Sequence, residues 1–397
     1  MTGRVLLTFN PGSSTIKLGL FVSEVEGLRR LGGGIIDLRQ KPLVLRIVEA
    51  GRATEIPLKA AVTEDMHELI EETLDWLMHH FTRKEVAAVG HRVVHGGDQF
   101  AGPVKITDAT LAAIAALVPL APLHQPQSVQ LIGAIHHLRR GLPQFASFDT
   151  AFHRTQSDVV RRFALPRELF DRGIKRYGFH GLSYKFIASQ LKRKLPQLAG
   201  GRFVVAHLGS GASLCALDNG VSRDSSMGFS TLDGIPMATR CGAIDPGVLI
   251  HLVKQEGWSN ERLEETLYHK SGLLGVSGIS ADTRLLLQND APEAREALEL
   301  FAFRIARETL ALANSMGGLD GFVFTAGIGE HQPPIRAAIS QRLGWLGAAI
   351  DPAANAANAE RIDAPGSKLA LVVIPTDEEQ TIAEETWSVL TAKAHVQ

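Results

Sequence analysis

The chain has 397 residues, and at roughly 150 residues per domain that length argues for two domains, possibly three. Lys plus Arg total 41 and Asp plus Glu 42, a formal net charge of -1, so no overall field draws the chain to nucleic acid or to an anionic membrane. With 45% hydrophobic and 21% charged residues there is apolar material for a core in each domain, which excludes disorder over most of the length.

Taken in order, the first element is a strand, Val5–Phe9, running into Asn10-Pro11-Gly12. Its five-residue apolar run is too short for a signal peptide. Residues 64–81 read as a helix, with Met66, Leu69, Ile70, Leu74 and Leu77 on one face. A strand, Val89–Val94, then meets His95-Gly96-Gly97. Leu111–Leu123 is an apolar stretch of 13 residues interrupted by Pro119 and Pro122, which predicts a buried helix and turn, not a membrane span. Strand Phe203–Leu208 precedes Gly209, and the long helix Ala294–Met316 stops at Gly317-Gly318. Strands Phe322–Thr325 and Ala370–Ile374 hand over to Ala326-Gly327 and Pro375, and residues 377–393 form a helix that docks the C-terminus. Strands alternating with helices predict α/β layers, with a boundary near Thr150 because a second Gly-rich loop follows it. Cys215 and Cys241 cannot make a disulfide framework, are most simply buried small side chains, and suit a reducing cytoplasm.

Three strand-end loops combine glycines with hydroxyls. Asn10–Lys17 holds one Gly, the hydroxyls Ser13, Ser14 and Thr15, and the cation Lys17. Backbone N–H groups, hydroxyls and a lysine together can seat phosphate oxygens; a hairpin turn with an exposed lysine is the equal alternative. The spacing is not that of a Walker P-loop. His207-Leu208-Gly209-Ser210-Gly211-Ala212-Ser213 and Phe324-Thr325-Ala326-Gly327-Ile328-Gly329-Glu330 repeat the theme. His91 and His95 are four apart, but the strand pattern around them and the lack of HExxH exclude a zinc site.

Loops of this kind, spread over the chain, resemble the superfamily of actin, Hsp70 and sugar kinases. The sequence more specifically resembles the acetate kinase family through NPGSSTIK (10–17), GHRVVHGG (90–97), APLHQP (121–126), FDTAFH (148–153), RYGFHG (176–181) and HLGSGAS (207–213). SMGFSTLDG (226–234), TRCGAIDPG (239–247), SGLLGVSG (271–278), FTAGIGE (324–330) and IPTDEE (374–379) continue in family order. The resemblance implies a two-domain actin-like ATPase fold, a duplicated ribonuclease H-like architecture with an interdomain cleft, the first domain being 1–150 plus 380–397 and the second, nucleotide-binding domain 151–379. It implies reversible, Mg²⁺-dependent transfer (Mn²⁺ being an alternative metal) of the ATP γ-phosphoryl group to acetate by a homodimer.

Such a reaction needs no strong base, because a carboxylate is ionised at neutral pH. It needs cations, since each pair of like unit charges about 4 Å apart costs roughly 4 kcal/mol at an effective dielectric near 20. By family match Arg92 meets the substrate carboxylate, His180 and Arg240 hold the transferring phosphoryl group, and Asp149 is the catalytic aspartate, either an acid/base or a group that orients reactants and Mg²⁺ water. Asn10 and Glu378 match the metal positions. Lys17 and His207, Leu208, Gly209, Ser210 and Gly211 hold phosphates. Asp282, Thr283 and Arg284, with Gly327, Ile328, Gly329, Glu330 and His331, hold the nucleoside end. Val94, Leu123 and Phe179 surround the acyl methyl group.

Without the family, Arg92 reads as a surface ion-pair partner, His180 as a packing histidine, Asp149 as a helix cap and Asp377–Glu379 as a solvated helix start. Ser210, Gln125, Tyr184, Ala243, His331 and Asp377 depart from the usual family residues, none of them within the charge constellation. Thr231 stands where proline often lines the acyl pocket, so propionate is a second substrate candidate. A propionate or butyrate kinase is the nearer rival and a nucleotide-switched Hsp70-like binding protein the farther one; the sequence ends about 20 residues after Glu378, which argues against the client-binding module that the farther reading needs.

Overall fold

Alternation along the first strand sets the layering of its sheet. In the computed structural model, which describes residues 3–12, 14–25, 27–61, 66–80 and 86–392, β1 is Val5–Pro11. Its residues Val5, Leu7 and Phe9 point into a core with Leu69, Ile70, Leu74 and Leu77 of helix His67–His80 and with Leu131 and Ile135 of helix Gln125–Leu138. Leu6 points the other way, to Phe21 and Ala383, beneath the last helix, Glu378–Ala392. Every second residue of β1 therefore faces that last helix, and Asn10 is in that phase.

Two compact units divide the chain, residues 1–152 with 377–397, and residues 153–376. The first carries an eight-stranded sheet. Its strands after β1 are β2 (Thr15–Glu24), β3 (Gly27–Asp37), β4 (Val44–Glu49), β5 (Arg52–Pro57), β6 (Val86–Val93), β7 (Val104–Lys105) and β8 (Gln144–Phe148), in the order β5-β4-β3-β2-β1-β6-β8-β7. β1 to β5 form an antiparallel meander, whereas β6 runs parallel to β1 and β8 parallel to β6.

The second unit repeats that scheme. β9 (Arg202–Leu208), β10 (Ala212–Asp218) and β11 (Val221–Ser225) are antiparallel neighbours, and β9 pairs in parallel with β12 (Gly321–Thr325), which pairs in parallel with β13 (Ala370–Val373). In both sheets a meander's first strand is continued by two parallel strands, so both sheets place strand-end loops at the same corner, the carboxyl ends of the parallel strands, where α/β folds bind ligands. This is the duplicated architecture expected from the sequence.

The Glu378–Ala392 helix lies across β1, β2, β6 and β8. Glycines let it approach: a Cβ on Gly90 would stand 2.3 Å from Thr386 Oγ1, and one on Gly19 2.9 Å from Glu379 Cβ. Helix Pro292–Met316 ends on Gly317, in the left-handed conformation at φ 68°, as the paired glycines predicted. Three expectations change. The helix after Thr107 spans only Asp108–Ala115 and fully buries Ile114 alone, Leu111 and Ala113 packing at the margin of the same core, and Leu123 is 37% exposed. The last helix starts at Glu378, with Asp377 capping it through Oδ1 to the Gln380 amide at 2.9 Å. Cys215 is buried but Cys241 only half so, and both are free thiols. Residues 64, 65, 81 and 393, expected in helices, lie outside the described residues. No described helix is long and apolar enough to cross a membrane.

Candidate active site

In the first unit, strand phase brings four expected residues to one face and one end of the sheet. Asn10 pairs with Lys17 across β1 and β2, Phe9 pairs with His91 so that Arg92 follows at the end of β6, and Asp149 follows β8 directly. Arg92 Nε donates to Asp149 Oδ1 at 3.1 Å and Nη2 to Asp149 Oδ2 at 2.6 Å, while Nη1 donates to Asn10 Oδ1 at 3.2 Å. Asn10 Nδ2 donates to Glu378 Oε2 at 2.7 Å and to Glu379 Oε1 at 2.8 Å. Burial opposes the Arg92 charge, but the carboxylates of Asp149, Glu378 and Glu379 outweigh it and hold the guanidinium above the ordinary arginine range. Glu379, buried and partly relieved by Lys17, is pushed above the usual carboxylate range. Asp149 is the first residue of a 3-10 turn, Asp149–Thr155, and not a cap set before a helix.

The Asn10–Lys17 segment is a tight hairpin between β1 and β2, closed by the Gly12 amide donating to the Thr15 carbonyl at 2.7 Å, and Lys17 is exposed. Leu38 donates its amide to the Ser14 carbonyl, and Ser13 lies outside the described residues. Val94 is buried beside His95, whose amide and carbonyl both bond the Gln125 side chain, at 3.1 and 3.0 Å. That clamp ties the end of β6 to the start of helix Gln125–Leu138 and fixes the loop carrying Leu123.

In the second unit a separate cluster forms around β9 and β10. His180 is left-handed at φ 55° and leads into helix Gly181–Lys194. The carbonyl of the buried Phe179 before it is held by His153 Nε2 at 2.9 Å. The His180 ring stacks on His207, with centroids 4.3 Å apart and planes 16° from parallel. A Cβ built on Gly211 would lie 3.5 Å from His180 Nε2 and 3.6 Å from Arg240 Nη1, so imidazole, guanidinium and glycine loop converge on one spot. Arg240 Nη1 also donates to the Thr231 carbonyl at 3.2 Å. Leu208 is buried, Gly209 bonds the Gly211 carbonyl through its amide at 3.2 Å, and Ser210 accepts from the Ala238 amide at its carbonyl.

The residues expected at the nucleoside end are set differently. Asp282 caps helix Thr283–Leu287, and Arg284 turns back onto Asp282 with its side chain 75% exposed. Gly327, Ile328, Gly329 and Glu330 lie in the short helix Ala326–His331, whose His331 is exposed. Sequence reading missed what holds this helix: fully buried Arg336 donates to the Gly329 and Glu330 carbonyls at 2.9 Å each and to Asn355 and Asn358. With no acidic partner among the described residues, burial pushes Arg336 down to about 10.

Mg²⁺ takes oxygen ligands and needs only one or two carboxylates from protein, the rest coming from water and phosphate. Asn10 and Glu378 carry oxygens of that kind, with Asn10 Oδ1 accepting from Arg92 and Asn10 Nδ2 donating to Glu378 Oε2 in the structure.

The family model described as the acetokinase family matches residues 5–384. An acetate kinase of Rhodopseudomonas palustris is 46% identical over 96% of this chain and 98% of its own length, and one of Rickettsia typhi is 40% identical over 97% and 99%. Among solved structures, the acetate kinase of Porphyromonas gingivalis superposes with TM-score 0.86 at 34% identity, covering 98% of this chain and all of its own. A propionate kinase from Francisella tularensis superposes with TM-score 0.88 at 34% identity, covering 96% and 98%. The chain belongs to the acetokinase family.

Proposed function

We propose that this protein is an acetate kinase. Acetate, already ionised, is met by Arg92. Three of the five N–H groups of that guanidinium are bonded to Asp149 and Asn10, which leaves a donor on each Nη for the substrate carboxylate. Both Asp149 oxygens bond Arg92, which supports a role for Asp149 in orienting and charge-balancing that arginine. A carboxylate oxygen attacks the γ-phosphorus of ATP in line, the bond to the β,γ-bridging oxygen breaks, and ADP departs with the electron pair. Arg240 and His180 carry the equatorial oxygens beside the Gly211 backbone, where fixed donors are the dominant catalytic term. Asn10 and Glu378 would hold Mg²⁺, which would supply charge neutralisation at the leaving phosphates. Lys17 and the 207–211 loop bind phosphates; Asp282–Arg284 and Gly327–His331 take the nucleoside.

The observation that carries this reading is the convergence of His180 and Arg240 on Gly211. Trapping of acyl phosphate as the hydroxamate tests it: acetate-dependent product with ATP is expected, and ATP turnover indifferent to any short carboxylate would overturn it. Propionate is the second substrate, on the strength of Thr231 and of the propionate kinase likeness, and kcat/KM across acetate, propionate and butyrate ranks them.

The protein also acts as a homodimer in the cytoplasm. Helix Pro246–Lys254 buries none of its residues and leaves Val248, Ile250 and Val253 exposed, Ile250 by 56%, a face suited to a second copy. Ile250→Asp should shift the particle mass measured by light scattering to that of one chain.

A further inference from the structure

Behind the His180 ring runs a line of buried hydroxyls that the reaction scheme leaves without a task. The Tyr184 hydroxyl lies 2.5 Å from Ser213 Oγ, and Ser213 Oγ lies 2.8 Å from His180 Nδ1. Tyr184 and Ser213 are both fully buried, so these bonds are not exchanged with bulk water. Tyr184 sits one turn after His180, its amide donating to the His180 carbonyl at 3.1 Å, and its ring packs edge-on against His153. Ser213, on β10, pairs with His207 on β9, the same histidine that stacks on His180.

Direction follows from acidity. A phenol is a stronger hydrogen-bond donor than an aliphatic hydroxyl, and linked hydroxyls polarise one another in a single sense. Tyr184 donates to Ser213, Ser213 donates to His180 Nδ1, and Nδ1 acts as acceptor. A neutral ring then carries its proton on Nε2, the nitrogen 3.5 Å from the Gly211 Cβ position.

We propose that Tyr184 and Ser213 are positioning residues that hold neutral His180 as its Nε2–H tautomer, so that the imidazole offers a donor beside Arg240. Its kinetic consequence rests on the phosphoryl-binding role of His180; the tautomer does not.

The test uses full-length protein labelled with ¹⁵N at histidine, His180 being assigned by difference against His180→Asn. At pH 8 the wild-type His180 shifts should be those of an Nε2–H ring. Tyr184→Phe, which keeps the packed ring, and Ser213→Ala should each move them toward a tautomer mixture. The same variants should lower kcat by roughly fivefold to tenfold, the effect of one buried hydrogen bond, with KM for acetate and ATP nearly unchanged. A wild-type Nδ1–H ring, a measurement that needs no variant to fold, would overturn the proposal, as would unmoved shifts in both variants. Moved shifts with full activity would uphold the relay and instead remove His180 from the reaction.

Discussion

Arg92 and Asp149 meet side-on, two nitrogens against two oxygens, with the Asp149 side chain 1% exposed and that of Arg92 13%. A bidentate pair so well shielded fixes the guanidinium plane, and under the proposed function that plane would set the orientation of acetate.

Removing Asp149 should therefore act twice. Asp149→Ala leaves a buried cation short of its main partner, a change that typically costs about 3–5 kcal/mol, softened here by Glu378 and Glu379. Urea unfolding should show a loss of roughly 2–4 kcal/mol, and kcat should fall at least about a hundredfold. Arg92→Ala should instead raise the acetate KM strongly. Full stability together with full activity in Asp149→Ala would contradict the positioning role.

Gly211→Ala separates fold from chemistry. The new methyl would stand at ordinary contact distance, 3.5 Å from His180 Nε2 and 3.6 Å from Arg240 Nη1, so Tm should hold. It would, however, occupy the spot both donors face, and kcat/KM should drop by about a hundredfold, of the order seen when an oxyanion donor is lost. Unchanged kinetics would move the phosphoryl site elsewhere.

Gly90→Ala tests how the last helix controls the first cluster. Its Cβ would fall 2.3 Å from Thr386 Oγ1 and 2.7 Å from Ile382 Cγ2, so the helix must lift, at a cost of about 1–3 kcal/mol. Because Glu378 opens that helix, the Mg²⁺ concentration for half-maximal activity should rise as well. Adding Thr386→Ala should restore part of both, and a Gly90→Ala protein with wild-type Mg²⁺ dependence would break the link.

Three buried imidazoles make stability sensitive to acid. Burial lowers His91, His95 and His153 from 6.5 to about 4. Between those values the unfolded chain binds protons that the folded chain refuses, so stability is complete above pH 6.5 and is lost as pH falls toward 4. Each contributes about 3 kcal/mol over that window. His153→Gln should flatten the decline of urea midpoint across the window; a midpoint independent of pH there would refute the assignment.

Much of this was legible in sequence where one strand or loop carries its own signal. Val5–Phe9 is a short, almost wholly apolar run, the mark of a strand buried on both faces, and Asn10, Arg92 and Asp149 were marked by motifs at strand ends. The meander was not. β3 contains Gly32, Gly33 and Gly34, and β5 is mostly exposed, so neither shows a period-2 apolar pattern. Glu379, Gln125, Ser213 and Arg336 were also passed over as functional, since each acts through a partner distant in sequence: Glu379 on Asn10, Gln125 on His95, Ser213 on His180, Arg336 on Asn355. Local composition carries no trace of such pairings. Departures from family residues were the available signal at Tyr184 and Gln125, and both turned out to sit in bonded clusters.

The division of the chain into residues 1–152 with 377–397 and an uninterrupted 153–376 has a bearing on biosynthesis. On the ribosome the inserted stretch can fold as soon as it emerges, whereas the sheet that precedes it must wait, one face bare, for the helix that begins at Glu378. Nascent chains would thus acquire Glu378 and Glu379, the partners of Asn10, last, and a truncated translation product would be devoid of kinase activity, not a leaky consumer of ATP.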